Sequence, residues 1–229
     1  MDKALVSLTF DDGLVSQFDN AVPILEQFEF RATFFLVANT DTNHTDGFEH
    51  PHWPRISWDD ERLRNILARG HEIGSHSVTH RCERTPESEA MDSKEWIEER
   101  LGIPIPSYCY PFGDANNANV EAVRTAGYQQ ARSFKGRGGD YYDPEKPPET
   151  LLDLDCREVL NGENVANWIR SGHWHIVGLH GIGEEPHSGW HPISTAEFAR
   201  QMSELAKVRD SGKVEVVTFN EGAERLRQQ

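Results

Sequence analysis

Basic residues are scarce in this 229-residue chain, with 23 Lys plus Arg against 38 Asp plus Glu and a formal charge of −15. A surface of that sign repels polyanions and anionic lipid headgroups over a Debye length of about 8 Å, which argues against nucleic acid and membranes as partners. Cysteines number three, Cys82, Cys109 and Cys156, with no CxxC among them. Neither a disulfide scaffold nor a thiolate zinc site is therefore indicated. No run approaches the roughly 18 apolar residues of a membrane span, and no segment has the form of a signal peptide. The chain as it stands is expected to be cytoplasmic; one that had lost a leader would be extracellular or periplasmic.

What the sequence does contain is an alternation of short apolar runs with helix-length amphipathic segments, the pattern of βα units feeding a parallel sheet. Strands are expected at 5–10, 32–37, 72–75, 107–110, 129–132, 154–159, 175–179 and 214–218. Helices are expected at 20–28, 58–69, 87–100, 119–126, 164–170, 195–208 and 221–227. This predicts an α/β fold, a distorted (β/α) barrel of about seven to eight parallel strands, with residues 1–229 forming a single domain. Two long aperiodic stretches, 39–55 and 135–150, are candidate walls of a binding groove.

Chemistry-bearing residues gather where strands end. The first strand closes on Thr9-Phe10-Asp11-Asp12-Gly13, two adjacent carboxylates before a glycine that permits a sharp turn. The third leads into Gly70-His71-Glu72-Ile73-Gly74-Ser75-His76-Ser77-Val78-Thr79-His80. His76 and His80 are four apart, so on a helical turn both imidazoles would face one ion. Tyr110-Pro111-Phe112-Gly113 and Gly178-Leu179-His180-Gly181 stand at two later strand ends. Alone, each has an ordinary structural explanation as a turn, a surface pair or a buried histidine. Together, an Asp pair, a His pair and a single His fit hydrolysis at a metal.

These four segments, in this order, resemble the motifs of the polysaccharide deacetylase family (carbohydrate esterase family 4, the NodB homology domain). The resemblance implies a divalent metal, zinc first with cobalt or another ion as alternatives, held by Asp12, His76 and His80. It further implies Asp11 as general base, His180 as general acid, and the backbone N–H of Phe112 as a donor to the oxyanion. The expected substrate is an N- or O-acetylated carbohydrate. Trp53, Tyr110, Phe112, Tyr141, Tyr142, Trp174 and Trp190 are aromatic candidates for stacking on sugar, Trp53 and Trp190 foremost because each lies in a loop. Oligomeric state is left open.

Three departures from the family pattern matter. Cys109 occupies the position of an Arg that orients the catalytic Asp, and Arg132, one strand later, is the candidate replacement. Gly178 stands where the family has a Leu lining the acetyl pocket, which predicts a wider pocket. The family's Asp-Trp motif has no clear counterpart. These departures keep two alternatives open: a small non-peptide amide as substrate, of the allantoin or cyclic-amide kind, or a non-catalytic carbohydrate-binding homologue.

Overall fold

The first strand, β1 (Ala4–Phe10), is mostly apolar and buries even its Ser7 and Thr9 because both of its faces are covered, which is the pattern of a central parallel strand. The computed structural model describes residues 3–38, 52–80, 84–135, 141–187 and 189–228. Cys82, most of the 39–55 stretch and positions 136–140 lie outside the described residues.

From β1 the sheet runs outward through β2 (Thr33–Leu36), β3 (Glu72–Ser75), β4 (Ser107–Cys109) and β5 (Gln130–Arg132), all parallel. On the other flank of β1 lies β8 (Trp174–Leu179), in register from Leu5 opposite Trp174 to Phe10 opposite Leu179. The segment 154–158 joins the two ends. Leu154 bridges Arg132 at the edge of β5, and β7 (Arg157–Glu158) then pairs in parallel with β8. Seven parallel segments thus follow one another around a distorted barrel, as the alternation predicted.

Two details were not legible beforehand. β6 (Tyr141–Tyr142) pairs antiparallel with β8, and two residues are too few to carry a periodic signal. The inner edge of β1 is also shared: β9 (Val214–Val216) takes Ala4 to Val6, and β2 takes Thr9 and Phe10.

Helices cover the outside of the sheet and are bounded by their caps. α1 (Val22–Gln27) continues a π-turn at Gln17–Ala21. α2 (Glu61–Ala68) starts at Asp60, whose carboxylate accepts from the Arg62 N–H. α3 (Pro86–Leu101) starts at Thr85 with proline in its first turn and ends at Gly102 in the left-handed conformation. α4 (Asn117–Thr125) and α5 (Thr195–Asp210) are capped by Asn116 and Ser194, and α6 (Phe219–Arg227) by a Thr218/Glu221 capping box. The helix expected at 164–170 is only a 3-10 turn, Val165–Trp168. Ile169 is extended and Gly172 adopts positive φ, so the turn cannot propagate. No described helix is long and apolar enough to cross a membrane.

Candidate active site

The C-terminal ends of β1, β3, β4, β5, β7 and β8 open into one cleft of about 280 Å³. Asp11, Asp12, His76, His80, Phe112, Phe134, Glu158, His180 and Trp190 are among its lining residues. This is the end of a barrel at which loops can bring residues from several strands together.

Asp12, His76 and His80 converge, each offering one ligand atom within 4.8 Å of the others, and all three are buried. The Asp12 Oδ1 atom lies 3.8 Å from His76 Nε2 and 3.6 Å from His80 Nε2. Donors arranged tetrahedrally at zinc distances would stand about 3.3–3.5 Å apart, so the trio fits a small divalent ion after slight contraction. The His76 ring is aimed by a 2.9 Å contact between Nδ1 and the Cys109 carbonyl, which turns Nε2 toward Asp12. Burial, reinforced by His80, pushes His76 down to about 4, so its imidazole is neutral near pH 7. Burial works to raise the Asp12 carboxyl, but His80, Arg55, His76 and His180 together hold it well below the usual carboxylate range. Arg55 approaches the same oxygen at 3.3 Å.

The two histidines do not sit on a helical turn, which corrects the expectation drawn from their spacing. Residues 76–80 form an irregular loop in which Ser77 and His80 both take positive φ, 69° and 57°. Glu89, buried on α3, holds that loop. Its carboxylate accepts from the Val78 and Thr79 N–H groups at 2.7 and 3.0 Å and from the Thr79 hydroxyl at 2.6 Å. The His80 N–H donates to Ser77 Oγ at 2.9 Å.

Asp11 lies on the other side of the same turn. Its backbone N–H donates to the Leu179 carbonyl at 2.9 Å, and Gln17 Nε2 donates to its carbonyl at 2.5 Å. The fully buried Arg132 guanidinium donates directly to Asp11 Oδ1. Cys109, in the position of the family arginine, puts its sulfur 3.6 Å from the same oxygen. Burial pushes the Cys109 thiol well up, so it stays protonated and is a poor partner in the second convergent trio, Asp11, His76 and Cys109. His180 Nε2 stands 3.7 Å from Asp11 Oδ2.

Gly178 does not widen the pocket. A Cβ added there would lie 2.7 Å from the Phe134 ring and 2.8 Å from Cys156 Sγ, so the space is already filled. Phe134 was missed from sequence, although two-residue alternation from Arg132 puts it on the same face. Glu158, Arg55 and Glu89 were missed as well, for want of any local motif.

The aromatic candidates divide. Phe112 is 52 % exposed at the cleft rim, with its ring 4.6 Å from that of His80 and its backbone at φ 56°. Trp190 is half-buried in the cleft wall. Tyr110 lines the cleft but is buried, and its hydroxyl donates to the Leu152 carbonyl at 2.7 Å. Trp53 is only 6 % exposed and packs edge-on against Trp190, so it does not present a stacking face. Trp174 is fully buried, its indole N–H donating to Ser7 Oγ at 2.9 Å. Tyr141 and Tyr142 form β6, away from the cleft lining.

Residues 1–131 match the family model described as polysaccharide deacetylase, and the chain belongs to that family. It is 27 % identical over 134 residues to the peptidoglycan-N-acetylglucosamine deacetylase of Bacillus cereus, covering 56 % of this chain and 55 % of that protein. It is 32 % identical over 95 residues to the chitin deacetylase of Colletotrichum lindemuthianum, covering 42 % of this chain and 32 % of that one. The chain spans about half the length of the curated relatives it matches. Among solved structures, a family 4 acetyl xylan esterase from Clostridium thermocellum, in complex with a cobalt ion, shares the fold. Its TM-score is 0.57 at 18 % identity, covering 95 % of this chain and 89 % of that one.

Proposed function

We propose that this protein is a metal-dependent deacetylase that hydrolyses N- or O-linked acetyl groups on a carbohydrate. One observation carries the proposal: a buried Asp12/His76/His80 donor set shares a cleft with the Arg132-held carboxylate of Asp11 and the imidazole of His180. A divalent ion bound there would supply Lewis-acid polarisation and a more acidic water. Asp11 takes the proton from the attacking water. Arg132 pairs with that carboxylate and fixes its direction. The Phe112 N–H donates to the developing oxyanion, and His180 protonates the leaving nitrogen or oxygen. Rate should therefore be bell-shaped in pH, since Asp11 acts as its anion and His180 as its cation. The named activities of the relatives on peptidoglycan N-acetylglucosamine and on chitin favour an N-acetylated amino sugar.

The test is acetate release from acetylated chito-oligosaccharides and from acetylated xylan. Release should vanish with a chelator, return with zinc or cobalt, and be abolished in Asp11→Asn. Activity confined to allantoin or another small amide, or full activity in Asp11→Asn, would overturn the proposal.

A further inference from the structure

His180 has an unusual setting for a proton donor. Its Nε2 faces Asp11, but the other ring nitrogen, Nδ1, is buried and has no hydrogen-bond partner among the described residues. A catalytic imidazole is ordinarily oriented by a hydrogen bond at its second nitrogen. Here the ring is held by other rings. Trp190 lies nearly parallel to it, centroids 5.3 Å apart and planes 8° apart, and Phe134 tilts against it at 5.6 Å.

Trp190 is itself firmly placed. It stacks with His187 at 4.1 Å and meets Trp53 edge-on at 5.1 Å. Both indoles close over Gly181, where an added Cβ would come within 2.4 Å of Trp53 and 2.6 Å of Trp190. The loop that carries Trp190 is shut at its base by the Ile182–Ile193 bridge. Beside that bridge, the His191 N–H and ring Nδ1 contact Glu158 of β7 at 3.4 and 3.3 Å.

We propose that Trp190 is a positioning residue for His180: its indole face fixes the plane of the imidazole, in place of a hydrogen bond to Nδ1. Stacking removes rotation about the side chain's second torsion and so keeps Nε2 directed at Asp11. This inference rests on the deacetylase function proposed above.

The test compares Trp190→Leu and Trp190→Phe on two substrates. An acetylated chito-oligosaccharide must have its amine leaving group protonated, whereas 4-nitrophenyl acetate loses a phenolate without help. Trp190→Leu is expected to lower kcat on the amide by about ten- to a hundredfold with KM little changed, and to reduce ester turnover much less. Trp190→Phe should keep most of the amide rate. A raised KM with unchanged kcat would make Trp190 a sugar platform and overturn the inference, as would parallel losses on amide and ester. A second readout needs no turnover: the His180 ring protons should move downfield in the NMR spectrum of Trp190→Leu as indole shielding is lost. Unmoved signals overturn the stack. Wild-type protein inactive on both substrates would instead remove the proposed function, and the ring-current shift would then decide the stack alone.

Discussion

Arg132 and Cys109 approach one carboxylate from neighbouring strands. Both side chains reach Asp11 Oδ1, one from β5 and one from β4, so the guanidinium has two feasible origins around the same carboxylate. Truncating Arg132 would strand a buried anion, a loss of about 3–5 kcal/mol for pairs of this kind. Arg132→Ala should therefore lower the melting temperature and abolish acetate release. Placing the charge at the other origin, in Cys109→Arg/Arg132→Ala, should recover part of both, as read by thermal denaturation and initial rates. No recovery would mean that Arg132 matters for packing against Phe35, whose ring lies 5.2 Å away, more than for its charge.

At the level of elements, β8 and the loop after β5 fit together as a lock. Gly178 leaves a notch that the Phe134 ring occupies. Gly178→Leu alone overpacks the notch and should cost about 1–3 kcal/mol. Phe134→Ala alone should also destabilise, by opening a void. The double variant should be more stable than the sum of the single losses predicts, a coupling measurable by denaturant titration of all four proteins. The same notch explains what could be read from sequence. Strand ends bearing Asp11, Asp12, His76, His80 and His180 were legible because each motif is contiguous in the sequence. The compensating neighbours were not: Phe134 fills space left by a residue 44 positions away, and Glu89 reaches the 76–80 loop from a helix whose sequence shows only amphipathicity. The His76–His80 spacing misled for a related reason. Four positive-φ residues outside glycine, Asp12, Ser77, His80 and Phe112, cluster at the cleft. Each departs from helical backbone at a cost of about 1–2 kcal/mol that only the assembled surroundings can sustain.

For the whole molecule, burial of neutral imidazoles ties stability to pH. His76 is lowered to about 4 and His71 is also lowered, mainly by burial, while the unfolded chain binds these protons near pH 6.5. The unfolded state thus holds more protons between those values, and stability must fall as pH drops through that window. For His76 alone the loss approaches about 3 kcal/mol by pH 4. Metal-free protein should melt at a clearly lower temperature at pH 5 than at pH 7, and His76→Gln should flatten that slope. Added zinc should raise the melting temperature at pH 7 more than at pH 5, because protons and the ion compete for the same nitrogens.

The shared edge of β1 has a consequence in time. Its neighbours on one flank are residues 174–179, and on the other they include 214–216. During synthesis β1 is made before every strand it pairs with, and of those only β2 follows closely. An apolar strand with open edges is then a template for pairing with other chains. Closure of both β1 ladders therefore waits on β8 and β9, the long-range and hence slow pairings of this fold.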